Sequence, residues 1–420
     1  MTLYQKIRLL FTLHTRTRIA LREKFAAQKE KKLQKRYIKS QSQLYKKLDL
    51  PKYDFKPLPK SVLIIEPNPY HGEIQPGFVK YFQDMGYNVD IFLRLENYLE
   101  NPFARYANNP PRMFFGTAPV IRDWVNNLQG DEYEYVFLSS SAFWNMPEYY
   151  GAYLDFLGQE PKSKHGLILV EHNTNPCLVE YNELDYLKSG RVFALLEHDN
   201  VPMLNPHYFG SVDKHNLNKV TEFVAVGIRG SLSEAMLTNA TKYLFDKGYK
   251  NFIIKIIGKG TFQVPPDLQK HILFLGRLNY KEMFDAVNNA DFLLALLDST
   301  NPVFERFLTK SAITGSLQLS LGFNIPMIIE KAFADLYDLN DTNAITYTHG
   351  LESAMQHALD MDEKQYNVLK SNLDKLQKST YNNSLNNLKN AIGKYNEKLC
   401  DVLQNIFRRF RSCIADVGNI

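Results

Sequence analysis

Phe252-Ile253-Ile254-Lys255-Ile256-Ile257-Gly258-Lys259-Gly260 packs four isoleucines into six residues and then turns on two glycines. Branching at Cβ suits the pleated surface of a sheet. A short run apolar at nearly every position reads as a strand buried on both faces, which is the habit of parallel sheets. The neighbouring segments fit that reading. Toward the C-terminus come a strand at Ile272 to Leu275, a helix at Tyr280 to Asn288 and a strand at Phe292 to Leu297. A helix around Leu317 to Leu321, a strand at Pro326 to Ile329 and an edge strand at Ala344 to Tyr347 follow. Toward the N-terminus lie a helix at Leu232 to Phe245 and a strand at Phe223 to Val226. Strand alternating with helix predicts a parallel α/β sheet.

A second series of the same kind stands upstream. Val62 to Ile65 reads as a buried strand, Glu66 to Gly77 as a loop, Phe78 to Met85 as a helix stopped by Gly86, and Asn88 to Leu93 as the next strand. Further strands at Tyr135 to Leu138, Leu167 to Val170 and Val192 to Leu196 each run into polar residues: Ser139-Ser140-Ser141, Glu171-His172-Asn173 and Glu197-His198-Asp199. Open parallel sheets bind ligands beyond the carboxyl ends of their strands, so these ends predict a cleft. The expected fold class is therefore α/β with two Rossmann-like domains. Residues 1–60 form a basic helical arm and linker, 61–215 the first domain, 216–350 the second, and 351–420 terminal helices.

A chain of 420 residues, 45% hydrophobic and 23% charged, has room for two such cores. The longest apolar runs fall far short of the ~20 residues that span a bilayer. The basic start offers no clean secretory signal. Three widely spaced cysteines, Cys177, Cys400 and Cys413, exclude a disulfide framework and suit a reducing compartment. The expected location is the cytoplasm, with peripheral contact to a membrane. Fourteen Lys and Arg against two Glu give residues 1–47 a net +12, and the whole chain's +5 leaves −7 for the body. Such an arm is drawn to anionic surfaces. Leu3, Ile7, Leu10 and Phe11 share a helical face, which fits either an interfacial helix or one packed on its own body. Leu399, Leu403, Ile406, Phe407, Phe410 and Ile414, interleaved with Arg408, Arg409 and Arg411, pose the same choice, and packing is preferred there.

The second half resembles the donor-binding domain of GT-B glycosyltransferases, particularly the retaining enzymes that build polysaccharide and lipopolysaccharide. The likeness spans about residues 221–348 and rests on an order of motifs. Val226-Gly227-Ile228-Arg229 looks like the strand end where a basic residue meets the donor diphosphate. Ile256 to Gly260 looks like the strand before Gly-x-Gly, Ile272 to Gly276 and Tyr280 to Ala290 like the next strand and helix, and Ser320 to Ile329 like the small-residue helix end before x-Pro-Val-Ile. The family often places two Glu upstream of that proline. Here those slots hold Ser311 and Leu319, and Thr314-Gly315-Ser316 stands at the expected start of a helix. This triplet reads either as a plain helix cap or as a phosphate site built from backbone amides, and the context favours phosphate. The resemblance implies a nucleotide-sugar donor held by Arg229, Gly258, Lys259, Asp298, Lys310, Thr314, Gly315 and Ser316. For Arg229 a surface ion pair, and for Asp298 a satisfied turn, are the competing readings; Glu305 is a weaker candidate for a sugar hydroxyl.

The first half echoes the family more faintly, in His71-Gly72-Glu73-Ile74-Gln75-Pro76-Gly77. In an inverting enzyme His71, with Glu73 second, would take the acceptor's proton. In a retaining one both would orient the acceptor. A loop histidine bonded to a carbonyl is the plain alternative. Glu171, His172 and His198 are expected to contact the acceptor. The two Glu-His pairs lie 26 residues apart without zinc spacing, so no metal is expected and no cofactor beyond the donor itself. Asp360-Met361-Asp362 reads as a helix N-cap with first-turn acids. The expected partners are a nucleotide sugar and a glycan or lipid-linked acceptor, with hexosyl or pentosyl transfer as the reaction. No Gly-x-Gly-x-x-Gly follows the first strand, and no Walker loop is present. A non-catalytic sugar- or nucleotide-binding protein on the same scaffold is the alternative. Nucleic-acid binding ranks last, because the arm has few aromatics and the body is acidic.

Overall fold

The computed structural model describes residues 56–106, 109–145, 149–174, 190–198, 201–213, 216–227 and 230–417, and scattered positions between 21 and 48. Two six-stranded sheets form the body. The first runs β3-β2-β1-β4-β7-β8, with β1 Ser61–Glu66, β2 Asn88–Arg94, β3 Arg112–Gly116, β4 Tyr135–Leu138, β7 Leu167–Glu171 and β8 Val192–Ala194. The second runs β11-β10-β9-β12-β13-β14, with β9 Thr221–Val226, β10 Phe252–Ile257, β11 Ile272–Gly276, β12 Phe292–Leu294, β13 Met327–Glu330 and β14 Ile345–Tyr347. Every pairing within both sheets is parallel. A small antiparallel hairpin, β5 Ala142–Asn145 with β6 Tyr149–Ala152, sits apart from them. Each large sheet repeats the doubly wound order 3-2-1-4-5-6 about its own switch point. The architecture is thus α/β with two Rossmann-like lobes.

Helices cover both faces, which is why Val62 to Ile65 are all fully buried. In the first lobe, α1 Gln75–Asp84 follows β1, with α2 Asn97–Glu100, α3 Ala118–Asn126 and α4 Tyr153–Leu157 after it. The second lobe carries α5 Gly230–Asp246, α6 Tyr280–Asn288, α7 Glu305–Leu308, α8 Gly315–Phe323 and α9 Lys331–Ala334. Then come α10 Leu351–Asp360 and α11 Glu363–Val417. The apolar residues on the facing sides of the two lobes merge into one core, from Phe78 and Phe137 to Phe284 and Leu317. The last helix returns to the first lobe: Tyr381 stacks on Tyr81 at 4.8 Å and donates to Asp84 at 2.6 Å, and Ser384 Oγ accepts from the Asn205 amide at 3.0 Å. Asp362 starts that helix with a reciprocal bond pair to Gln365, as its N-cap reading expects.

Three local expectations need correction. The helix expected from Phe78 begins at Gln75, because Pro76 suits a first helical turn, where its missing N–H costs nothing. The strand expected over Phe292 to Leu297 ends at Leu294, since Leu296 adopts φ 47° and breaks the extended run. The strand expected over Val192 to Leu196 ends at Ala194. Leu296 and Leu297 then line the cavity between the lobes, and Leu195 and Leu196 a smaller cleft beside it. No described helix is long and apolar enough to cross a membrane.

Candidate functional site

A cavity of about 390 Å³ opens between the lobes. Tyr70, Glu73 and Ile74 form its first-lobe wall. Gly227, Leu294 to Leu297 and the start of α8 form the other. The lobes approach closely at Gly72. A Cβ there would lie 2.3 Å from Asn97 Oδ1 and 2.9 Å from the Tyr280 ring, so only glycine fits.

On the second-lobe wall, Thr314 holds extended backbone (φ −80°, ψ 133°), and its hydroxyl accepts weakly from the Ser316 amide at 3.4 Å. Both readings of Thr314-Gly315-Ser316 are therefore present at once: a capped helix, and a helix start that borders the cavity. The first amides of a helix have no partner within it, and they mark the positive end of its dipole. Gly315 is exposed, and nothing lies within 4 Å of where its Cβ would be. Arg306, on α7, borders the same cavity and was not singled out in the sequence. The two slots expected to be acidic are accounted for otherwise. The Ser311 hydroxyl donates to the Arg306 carbonyl at 3.0 Å, and Leu319 lines the cavity as an apolar group.

Other expected donor contacts lie elsewhere. Gly258 (φ 140°) donates its amide to Gly276 at 2.8 Å, and Lys259 is exposed; neither lines the cavity. Asp298 accepts from the amide and hydroxyl of Thr300, at 2.9 and 2.6 Å, as a satisfied turn residue. Glu305 is exposed. Lys310, in a left-handed conformation (φ 56°), borders a separate small cleft with Glu171, His172 and Ile313. Arg229 lies outside the described residues.

Beside the first-lobe wall stand several groups that sequence distance had kept apart; neither His71 nor His172 lines the cavity itself, and His172 borders the small cleft of Lys310. The rings of His71 and His172 stand 4.4 Å apart. Burial pulls His71 down to about 4; burial, with His71 beside it, pulls His172 to about 3, so both are neutral near pH 7. His71 Nδ1 is 3.9 Å from Glu73. Burial pushes the Glu73 carboxyl up, while a hydrogen bond from Tyr280 across the crevice partly offsets that. Behind the histidines lies Glu66, fully buried at the end of β1 and raised by burial to about 7. Glu171 is also buried, accepting from the Ser141 hydroxyl and from the Asn173 amide at 3.0 Å. Its role is thus to shape the loop bearing His172. His198 sits at a bridge to Val201, away from the cavity lining. Among the described residues no cluster of three His, Cys, Asp or Glu could hold a metal ion.

Glu66, Tyr280 and Arg306 are the site residues that sequence reasoning passed over. Glu66 had one signal, a carboxylate directly after four apolar strand residues; Tyr280 had only its place at a helix start, and Arg306 had none.

Two lobes of matching strand order enclose a crevice at the carboxyl ends of their central strands, and the last helix straps the second lobe to the first. The fold is of the GT-B type. Known proteins of this type are similar to the chain in three dimensions rather than in sequence: no protein-family model matches it, and no curated protein does. A glycosyltransferase from Rickettsia africae superposes with a TM-score of 0.45 at 12% identity, covering 81% of this chain and 99% of its own. Phytolacca americana UGT2, solved with UDP-2-fluoroglucose and pterostilbene, gives 0.43 at 12% identity over 77% and 95%. S. aureus MnaA, solved with UDP, gives 0.41 at 12% over 74% and 90%.

Proposed function

We propose that the protein is a glycosyltransferase that moves a hexosyl or pentosyl unit from a nucleoside-diphosphate sugar to a glycan, polysaccharide or lipid-linked acceptor, as in lipopolysaccharide assembly. The observation that carries this reading is the cavity between the lobes, with the α8 tip on one wall and Glu73 on the other. In this reading the diphosphate rests against the Gly315 and Ser316 amides, with the Thr314 and Ser316 hydroxyls and Arg306 beside it. Positive charge fixed at that point stabilises the nucleotide as it leaves, and cost-free preorganisation is what makes such charge effective. That role needs no resident metal, so transfer is expected to survive chelation with EDTA. The acceptor lies along the first-lobe wall, where Glu73 orients its hydroxyl and His71, 3.9 Å from Glu73 and just behind the lining, takes its proton.

The basic arm supports an acceptor at an anionic membrane surface. Lys24, Lys29, Lys32, Lys35, Arg36 and Lys39 are all exposed, while Leu44 and Leu48 tie the arm's end to the core. Pelleting with phosphatidylglycerol vesicles should be lost on deleting residues 1–47.

A melting-point screen of nucleoside-diphosphate sugars tests the central claim, because a ligand that binds only the native state raises the midpoint. At least one sugar nucleotide should do so, and Ser316→Ala should blunt its effect. Stabilisation by none would sink the reading. Stabilisation without turnover on any acceptor would turn it into a sugar-nucleotide-binding protein.

A further inference from the structure

We infer that Glu66 is a positioning residue for the histidine pair beside the first-lobe wall: through Ser140 it backs the His172 tautomer that the Ser139 carbonyl selects, and through Gln75 it holds the backbone of His71. What the pair does rests on the glycosyl-transfer reading; how the pair is held does not.

Glu66 spends both oxygens on its surroundings. Oε1 accepts from the Asn68 amide at 2.9 Å and from Asn68 Nδ2 at 3.0 Å. Oε2 accepts from Ser140 Oγ at 2.6 Å, Ser139 Oγ at 2.9 Å and Gln75 Nε2 at 3.2 Å. A strand end inside a core is held at least as well by an apolar side chain as by a buried carboxylate, whose desolvation is costly. The fold alone does not call for this residue.

Its partners lead to the histidines. Gln75 Nε2 also donates to the His71 carbonyl at 2.9 Å, and His71 stands at φ 64°, a strained conformation for a residue with a Cβ. His172 Nε2 lies 2.7 Å from the Ser139 carbonyl and 3.3 Å from Ser140 Oγ. A carbonyl only accepts, so Nε2 carries the hydrogen and Nδ1 the lone pair. A serine hydroxyl has one proton. While Ser140 gives it to Glu66, it meets His172 with a lone pair and reinforces the same tautomer. The tautomer of His172 is thus set by the Ser139 carbonyl and backed from the core side by Glu66 through Ser140.

Other ionisable groups stand around the pair: Glu171 and Lys310 border the small cleft with His172, and Glu73 lies 3.9 Å from His71. Tyr153 on α4 feels the charge of Glu66, and Arg94, at the end of β2, acts on Tyr153 and reaches the Pro67 carbonyl at 3.2 Å.

In Glu66→Gln the amide NH₂ can donate to Ser140, which frees the serine proton to point at His172 Nε2 and favours the Nδ1–H tautomer. The experiment is ¹⁵N NMR of the full-length protein labelled at histidine. Wild type should show His172 as the Nε2–H form, and Glu66→Gln a mixture or the other form. Ser140→Ala should keep the wild-type tautomer, and Glu66→Gln added to Ser140→Ala should no longer change it. If Glu66→Gln does not fold, Glu66→Asp, which withdraws the carboxylate by one methylene, should shift the tautomer the same way. In transfer assays Glu66→Gln should lower kcat at least about tenfold, in line with the weight of a correctly poised base, and leave the donor-induced melting shift intact. A His172 spectrum unchanged by Glu66→Gln, or changed equally in the Ser140→Ala background, would overturn the inference. Wild-type protein that stabilises with no sugar nucleotide but shows the tautomer switch would overturn the proposed reaction instead and leave this one standing.

Discussion

In the first lobe the carboxyl ends of β1, β4 and β7 carry Glu66, Ser139-Ser140-Ser141 and Glu171-His172, mostly buried and bonded to one another. The matching ends of β9 and β12 in the second lobe carry Val226-Gly227 and the apolar run Leu294 to Leu297, while β13 ends in Glu330, which is committed to the Ser299 amide at 2.8 Å. One strand order thus presents side-chain chemistry on one wall and mostly backbone on the other. In the proposed reaction the two walls would meet different groups. The proposed first-lobe role is exchange of a proton, and the titratable groups gathered there are shifted by burial. A diphosphate keeps its charge throughout, so fixed amides at a helix start suffice. In that reading the absent acidic pair is no loss to phosphate binding.

That contrast can be broken at either wall. The largest effect is expected on the titrating side: His71→Ala should cost about 10² or more in kcat, the usual share of general acid–base catalysis, with donor affinity unchanged in a binding assay. Next comes the backbone side. Since nothing surrounds the Gly315 Cβ position, Gly315→Leu should fold normally and place its side chain over the amides. Donor affinity should fall about 100-fold, near 2.7 kcal/mol, by calorimetry. Arg306→Ala removes a single cation and should weaken donor binding about tenfold, the scale of one charge-assisted hydrogen bond. Equal losses of kcat alone in all three would erase the division of labour.

The smallest effect is a pH trend in stability. Glu66 is raised from 4.5 to about 7, so between those values the folded protein keeps a proton that the unfolded chain has released, and stability falls as pH rises. His71 and His172 are lowered from 6.5 to about 4 and about 3, so as pH rises to 6.5 the unfolded chain gives up protons the fold never held, and stability climbs. The two trends oppose each other between about 4.5 and 6.5. Glu66→Gln should remove the falling one, so its Tm should rise more steeply than the wild type's across that window.

Much of the scaffold was legible because it rests on local pattern. Tyr135–Leu138, Phe252–Ile257 and Tyr280–Asn288 appear with the bounds that periodicity gives them. Arg112–Gly116 and Ala118–Asn126 were missed, for the first is a brief strand beyond a stretch rich in Asn and Pro and the second opens on a proline. The cavity lining was legible only where one short segment makes it, as at Thr314-Gly315-Ser316. Glu66 read as the first residue of a loop. Its burial depends on serines 73 and 74 positions away, and nothing in the spacing of residues announces that meeting. Arg306 reaches the cavity through a turn of the chain, from a four-residue helix too short to show a period.

The helix that crosses back has a consequence for how the molecule is made. Tyr381 reaches Asp84 across 297 positions of sequence. A ribosome will therefore have finished the whole first sheet, and then the whole second, before the tyrosine that covers Tyr81 leaves the exit tunnel. Until then the nascent first lobe shows an uncovered aromatic face, and contacts this distant in sequence are slow to form. A message cut short before codon 381 should yield a sticky product that chaperones hold and proteases clear, even though every crevice residue has already been translated.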